Sequence, residues 1–189
     1  MVEDLGEVVL EEDFSIGDQW LLGKTGVGSA AIGVNELSIV VTEPDAYVYS
    51  VRASPELTDF YAEITASPML CRGMDEYGML LRFSSSGDFY RFSLSCDGQV
   101  RLDRVVGGTA SSPQPWTYSV SVPPGAPSQS RLAVWAKGKE MRFFVNDEFQ
   151  FTANDPLLPG GKLGVFARSG GEKSVTINFS DLIVRRIQE

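Results

Sequence analysis

The chain has 189 residues, of which 16 are Lys or Arg and 25 are Asp or Glu, giving a formal net charge of −9 with no histidine. Its length and its 43% apolar content predict one domain over residues 1–189, with residues 1–6 as a disordered lead-in. The absence of histidine excludes Ser-His-Asp and Cys-His nucleophile systems and imidazole-based zinc sites. The acidic balance argues against nucleic acid and anionic membranes as partners, because both require a basic surface.

The negative charge is concentrated at the N-terminus. Residues 1–18 hold seven acids and no base, whereas the rest of the chain holds 18 acids and 16 bases. We interpret this segment as a solvated lead-in, and a cation site using one or two of its carboxylates is the alternative. No apolar run approaches the roughly 20 residues of a membrane span, so we expect no membrane insertion. No secretory signal is recognisable, and we interpret the chain as a processed or excised domain.

The predicted strands are identified by a period of two in apolar and polar residues, which is typical of strands that bury one face. In chain order they cover 37–42, 47–52, 60–66, 77–83, 90–95, 99–105, 131–136, 141–145, 162–168 and 175–185. Only one helical turn is expected, near Pro55. The Ser-, Pro- and Gly-rich stretches 107–115 and 123–130 are interpreted as long loops within one domain.

Turn signals separate most of these strands. They are Ser86-Gly87-Asp88, Asp97-Gly98, Gly107-Gly108, Pro123-Pro124-Gly125, Lys137-Gly138-Lys139, Asn146-Asp147 and Pro159-Gly160-Gly161. Many short strands joined by tight turns predict an all-β fold of two packed antiparallel sheets.

The two cysteines, Cys71 and Cys96, each stand beside turn-prone residues. We predict that they lie on neighbouring strands of an antiparallel pair and form a disulfide; two unpaired thiols are the alternative. A bridge closing a loop of about 25 residues would stabilise the fold by about 3–4 kcal/mol in the chain-entropy model. A disulfide would also indicate an oxidising compartment.

Several stretches, taken together, resemble a known superfamily. They are Asp13-Phe14 with Trp20, residues 77–83 and 89–94, Asp97-Gly98, and residues 131–134, 143–146, 161–167 and 179–184. In order and spacing they resemble the concanavalin A-like lectin and glucanase superfamily, especially bacterial laminarinase-like and lectin-like domains. The resemblance covers nearly the whole chain. It implies a jelly-roll β-sandwich in an extracellular setting, without implying an enzyme.

The glucanases of this superfamily carry Glu-x-Asp-x-x-Glu on one strand, where alternation directs all three carboxylates to one cleft. One acid acts as nucleophile and another as proton donor, at a separation of about 5–5.5 Å. No segment of this chain has that spacing, so we expect no catalytic residues and no enzyme activity. A hydrolase whose carboxylates come from separate strands is the alternative.

A binding groove is expected from the side chains that alternation places opposite the apolar core. Aromatic rings stack on the C–H faces of sugars, and arginines supply directional donors. Alternation gives the candidate ligand-binding residues Arg82, Phe89, Arg91, Trp135, Arg142 and Phe144, and Trp116, in the loop 113–116, is expected at the rim of the groove. Core packing and cross-sheet ion pairs are the alternative roles for these residues.

The resemblance also implies a structural calcium, held by the start of the chain and the closing strand. Asp13 and Asp181 match those positions best, with backbone carbonyls completing the shell of six to eight oxygens. Solvated or turn-capping aspartates are the alternative.

We therefore expect a non-catalytic, lectin-like domain of an extracytoplasmic bacterial protein that binds an oligo- or polysaccharide. The alternatives are the hydrolase described above and a structural or protein-interaction module that contacts other domains of a larger surface protein.

Overall fold

The computed structural model describes residues 5–188, which form fifteen strands and no helix. The strands are β1 (Leu5–Glu12), β2 (Gly23–Lys24), β3 (Gly28–Ile32), β4 (Leu37–Val41), β5 (Tyr47–Val51), β6 (Phe60–Leu70), β7 (Glu76–Ser85), β8 (Asp88–Ser95), β9 (Gln99–Val106), β10 (Thr109–Tyr118), β11 (Ser130–Lys137), β12 (Glu140–Val145), β13 (Glu148–Asn154), β14 (Lys162–Arg168) and β15 (Val175–Ile187). Nothing within 5–188 is a helix able to cross a membrane. The prediction of an all-β fold is confirmed, and the prediction of a helical turn near Pro55 is wrong.

The strands form two antiparallel sheets. A nine-stranded sheet has the order β13-β12-β11-β6-β15-β4-β3-β2, with β1 also paired to β15, and a six-stranded sheet has the order β10-β9-β8-β7-β14-β5. Strands β4 and β1 pair with successive halves of β15, so the chain's first and last strands are neighbours. This is the predicted two-sheet sandwich, which is confirmed.

The core lies between the sheets and is built by alternate residues of each strand. In β8, for example, Tyr90, Phe92 and Leu94 are fully buried against the opposite sheet. The rings of Phe92 and Phe143 meet across the two sheets at 4.9 Å between centroids. Burying one such side chain contributes about 1.5–3 kcal/mol, so the core dominates stability. We call the face of each sheet that points away from this core its outer face.

The predicted turns join consecutive strands as expected. Asn146 and Asp147, between β12 and β13, have φ angles of 51° and 65°. Gly107 and Gly108, between β9 and β10, have φ angles of 58° and 80°. Two successive residues with positive φ define the type I′ turn, whose twist matches that of the flanking strands.

One predicted loop is a strand. Residues 109–118 form β10, which pairs only with β9 and therefore lies at the edge of its sheet. Pro113 and Pro115 fall between Ser111 and Thr117, where the register of this pairing shifts. An edge strand tolerates proline because one row of its N–H groups has no ladder partner.

The acidic N-terminal segment is part of the nine-stranded sheet. Strand β1 begins at Leu5, so the lead-in interpretation is wrong for residues 5–6, while residues 1–4 lie outside the described residues. Glu12 accepts a hydrogen bond from Trp20 Nε1 at 2.7 Å and forms an ion pair with Arg52. Glu12 therefore connects β1 to Arg52, which directly follows β5 at the edge of the six-stranded sheet.

Cys71 and Cys96 form the predicted disulfide, with their Cα atoms 5.8 Å apart. They do not lie on neighbouring strands, because Cys71 follows β6 of the nine-stranded sheet and Cys96 follows β8 of the six-stranded sheet. The bridge therefore connects the two sheets at one end of the sandwich.

Replacing both cysteines with serine should lower the free energy of unfolding by about 3 kcal/mol, because the unfolded chain regains the entropy of an open loop. Urea unfolding followed by tryptophan fluorescence measures this difference. Wild-type protein with its disulfide reduced serves as the matched control and should unfold at the same urea concentration as the variant. An unchanged midpoint in both samples would contradict a stabilising inter-sheet bridge.

Candidate functional site

The structure places the predicted ligand-binding residues in three different regions. Phe89, Arg91 and Trp116 belong to the six-stranded sheet, whereas Trp135, Arg142 and Phe144 belong to the nine-stranded sheet. A single groove containing all of them is therefore wrong, because the whole core separates the two outer faces. Alternation predicts which side chains leave the core, but it does not predict which sheet carries them.

Arg82 belongs to neither outer face. It has a φ angle of 48° at a point where the pairing of β7 with β8 shifts register, so its side chain departs from strict alternation. Its guanidinium donates to the carbonyl oxygens of Thr58 at 2.8 Å and Leu158 at 3.3 Å and is almost fully buried. Arg82 therefore closes one end of the core instead of lining a groove.

A charged cluster occupies the outer face of the six-stranded sheet. It consists of Glu76, Arg91, Arg101 and Asp103, on strands β7, β8 and β9. Arg101 Nη2 lies 3.0 Å from Glu76 Oε2 and 3.1 Å from Asp103 Oδ2, so it bridges the two acids. Arg91 donates to Asp103 Oδ2 from Nε at 3.1 Å and from Nη2 at 2.7 Å. Each cation of the cluster is therefore paired with an acid.

The two acids of this cluster are buried although they face away from the core. Glu76 is 2% exposed and Asp103 is 3% exposed. Desolvation raises the pKa of Glu76 above its usual range, and Arg101 opposes that shift. Asp103 accepts hydrogen bonds from a hydroxyl as well as from arginine, because Ser112 Oγ donates to it at 2.7 Å in addition to Arg91. The two carboxylates thus occupy different environments on one surface.

Trp116 covers one side of the charged cluster. The guanidinium carbon of Arg101 lies 4.3 Å from the centre of the Trp116 ring, a cation–π contact. The nine-stranded sheet contains an equivalent pair, since Arg142 lies 4.3 Å from the centre of the Trp135 ring. Each outer face therefore carries one tryptophan stacked by an arginine.

An aromatic floor lies next to the charged cluster on the same outer face. We use this name for Tyr47, Tyr49, Phe83, Phe89 and Phe166, which pack together with Leu80. The rings of Phe83 and Phe89 stack with their centroids 5.4 Å apart, and the ring centroids of Tyr47 and Phe166 are 5.5 Å apart. Arg91 connects the floor to the cluster, because its guanidinium carbon lies 5.5 Å from the centre of the Tyr47 ring.

Three buried polar atoms on this face have no hydrogen-bond partner within residues 5–188. They are Tyr47 Oη, Ser93 Oγ and Arg101 Nε. Burial raises the pKa of Tyr47, so its hydroxyl remains protonated and able to donate. Because an unsatisfied buried polar group costs about 1–3 kcal/mol, such atoms are normally bonded to water or to a ligand.

Sequence reasoning missed most of the charged cluster and the aromatic floor, namely Tyr47, Tyr49, Glu76, Phe83, Arg101, Asp103 and Phe166. A signal for two of them was present in β9, where Arg101 and Asp103 alternate with the core residues Val100 and Leu102. Charged residues alternating with core residues mark an outer face.

The outer face of the nine-stranded sheet is covered by its own side-chain ladder. Tyr61, Ala133 and Phe144 form a small buried cluster against Trp135. Arg131 Nη2 pairs with Glu63 at 2.6 Å, and Tyr61 Oη donates to the same glutamate at 2.9 Å. The nine-stranded sheet also has two buried polar atoms without a hydrogen-bond partner within residues 5–188, Ser130 Oγ on β11 and Asn178 Oδ1 on β15.

Asp13 and Asp181 line one cavity of about 210 Å³, together with Glu11, Glu12 and Arg131. Asp181 has a φ angle of 52° where the pairing of β15 with β6 shifts register. Hydrogen bonds from Ser15 lower the pKa of Asp13. Among the residues that the structure describes, no three acidic, cysteine or histidine side chains are grouped to hold a metal. A cation here would depend on backbone carbonyls.

No protein-family model matches the chain, and no curated protein matches it. Solved structures do match. The chain superposes with a TM-score of 0.72 on the carbohydrate binding module CBM66 from Bacillus subtilis, at 15% identity over 88% of this chain and 95% of that one. It superposes with a TM-score of 0.70 on a protein of unknown function with a galectin-like fold from Bacillus subtilis, at 15% identity over 98% of this chain and 99% of that one.

A third match is the catalytic domain of an endo-1,3-beta-glucanase (laminarinase) from Thermotoga petrophila. Its TM-score is 0.68, at 10% identity over the whole of both chains. At these identities the likeness concerns the fold. Together with the sheet order, it shows that the chain has the jelly-roll fold of concanavalin A-like proteins, as the sequence resemblance implied.

Proposed function

We propose that the chain is a non-catalytic carbohydrate-binding domain whose ligand lies on the outer face of the six-stranded sheet. The observation that carries this proposal is the group of unpartnered polar atoms, Tyr47 Oη, Ser93 Oγ and Arg101 Nε, beside the aromatic floor. The ligand is an oligo- or polysaccharide.

The chemistry of this face suits a sugar. A pyranose or furanose ring offers an apolar C–H face, which stacks on aromatic side chains, and a rim of hydroxyl groups that need donors and acceptors. Half-buried Tyr47, Tyr49 and Phe83 supply the stacking surface, while the charged cluster supplies both donors and acceptors in fixed positions. Because the arginines are already paired, little side-chain entropy remains to be lost on binding.

The solved structures support the proposal. They include a carbohydrate binding module and a laminarinase, so both binding and cleavage of glycans occur on this fold. The inter-sheet disulfide supports an extracytoplasmic location, because such bonds persist in oxidising compartments. We place the domain in a periplasmic, cell-surface or secreted bacterial protein.

The arrangement of the two acids favours binding over hydrolysis. Retaining glycosidases need carboxylates about 5–5.5 Å apart with the scissile bond between them. Here both acids are already paired with one guanidinium, because Arg101 Nη2 lies 3.0 Å from Glu76 Oε2 and 3.1 Å from Asp103 Oδ2. Asp103, which already accepts hydrogen bonds from Arg91 and Ser112, is a poor nucleophile.

One observation favours the alternative of a glycoside hydrolase with carboxylates from separate strands. Glu76 and Asp103 lie on β7 and β9, and the raised pKa of Glu76 is the property that a general acid needs. This alternative requires Arg101 to leave its bridging position when substrate binds.

Trp116→Ala should weaken glycan binding at least tenfold, because it removes a stacking surface beside the charged cluster. A glycan array identifies the ligand, and titration calorimetry with the best hit measures affinity. Trp135→Ala is the matched control, since it removes an equally stacked tryptophan from the other sheet, and it should leave affinity unchanged. Loss of binding in the control alone would place the ligand on the nine-stranded sheet, contrary to the proposal.

Incubating the protein with the glycan that it binds should release no reducing ends, because Arg101 holds both acids in ion pairs. A reducing-sugar assay over acid and neutral pH checks this, with Glu76→Gln as the comparison. Hydrolysis by the wild type that Glu76→Gln abolishes would establish the hydrolase alternative. Equal hydrolysis by both proteins would point to a contaminating enzyme.

We also propose that a structural calcium binds at Asp13 and Asp181, because both residues line one cavity. Two carboxylates with backbone carbonyls can satisfy the ion's preference for oxygen ligands, but Arg131, whose guanidinium pairs with Glu63, also lines this cavity.

Calcium should raise the melting temperature of the wild type and not that of Asp181→Asn, measured by differential scanning fluorimetry against chelator. Asparagine also tolerates the positive φ of residue 181, so the substitution removes charge without straining the backbone. A wild type whose melting temperature is the same with calcium and with chelator would refute the calcium site.

A further inference from the structure

A cavity of about 480 Å³ lies beside the proposed glycan site, between the edge strand β5 and the region of β2 and β3. Its lining is mainly apolar and includes Leu21, Leu22, Val27, Ala30, Tyr47 and Tyr49. Among its described lining residues, Lys24 has the only charged side chain. The volume and composition fall within the usual range of sites for small apolar groups.

Tyr47 and Tyr49 belong both to this cavity and to the aromatic floor. The charged cluster, the floor and the cavity therefore follow one another across one surface, from polar to apolar. Arg91, a member of the charged cluster, contacts the ring of Tyr47. The segment of Leu21 and Leu22 contacts β5, because Leu21 N donates a hydrogen bond to the carbonyl oxygen of Val51 at 3.2 Å.

The apolar side chains at the cavity's mouth are exposed to solvent. Leu21 is 57% exposed, Leu22 is 39% exposed and Val27 is 36% exposed. Covering such side chains would contribute about 25 cal/mol for each Å² of apolar surface removed from water. In the proposed site the C–H face of the sugar stacks on the aromatic floor, so an alkyl or aryl group attached to the sugar is what covers these side chains.

We propose that this cavity binds an apolar substituent, an alkyl or aryl group attached to the saccharide that lies on the outer face of the six-stranded sheet. The inference rests on the proposed function for the sugar half of the ligand. The domain's ligand is then amphipathic, with the sugar on the charged cluster and floor and its apolar group beside Leu21, Leu22 and Val27.

The test uses ¹³C-methyl NMR of the leucine and valine residues, with octyl β-glucoside and 1-octanol as probes, each below the concentration at which it self-assembles. Both probes should shift the methyl signals of Leu21, Leu22 and Val27. Leu22→Gln should weaken the response to octyl β-glucoside at least fivefold, because it places a polar amide at the cavity. The matched control is Leu157→Gln, which changes a leucine that is 54% exposed outside this cavity and should have no effect.

The outcomes separate the two proposals. Unshifted Leu21, Leu22 and Val27 signals with both probes would refute the cavity site, even where the glycan array shows binding. A response to 1-octanol together with a silent glycan array would uphold the apolar site and refute the carbohydrate function. Equal weakening by Leu22→Gln and Leu157→Gln would show unspecific association and would also refute the cavity site.

Discussion

The two sheets can pack only when each strand directs alternate side chains toward the opposite sheet, and this constraint decides where a ligand site can form. In β9, Val100 and Leu102 enter the core, so Arg101 and Asp103 must lie on the outer face. A slip of one residue would place both charges in the core, at a cost of several kcal/mol for each. The position of the charged cluster is thus a consequence of core packing.

Buried charges on an outer face need a reason, because no packing requires them there. Replacing a buried ion pair with apolar residues is often neutral or stabilising. The network of Tyr90 and Asp155 has an evident structural role, since Tyr90 Oη donates to Asp155 Oδ1 at 2.7 Å and holds the segment before β14 against the core. The charged cluster contacts the edge strand β10, because Ser112 Oγ donates to Asp103 and Trp116 stacks on Arg101. Its unpartnered Arg101 Nε and the neighbouring Ser93 Oγ favour a role in binding.

The sequence predicted the fold well because period-two alternation is a local property. Residues 162–168 were predicted as a strand with the bounds that β14 has. Strand β3 was missed because its Gly-Ser-Ala-Ala residues lack large apolar side chains, and β10 was missed because its prolines suggested a loop. In both strands the pairing partner, and not the local propensity, determines the structure.

The candidate site was predicted only in part, because it depends on non-local pairing. Alternation placed Phe89 and Arg91 on an outer face, but the sequence held no information that β11 and β12 join the other sheet. The disulfide shows the same limit, since the pairing of Cys71 with Cys96 was predicted while the sheets that they connect were not. Arg82 was misplaced because a single residue with positive φ breaks alternation.

The proposed function also has to account for a fold that is shared with a glucanase, and the charged cluster supplies a reason why binding is favoured. Hydrolysis requires two carboxylates with their pKa values pushed apart and an open space for the glycosidic bond. On the six-stranded sheet the carboxylates of Glu76 and Asp103 both pair with Arg101 Nη2, at 3.0 Å and 3.1 Å. A sugar hydroxyl that approaches this point meets a paired guanidinium, which donates hydrogen bonds and transfers no proton. In the function that we propose, the ion pairs of this one arginine distinguish a binding surface from a catalytic one on this sheet.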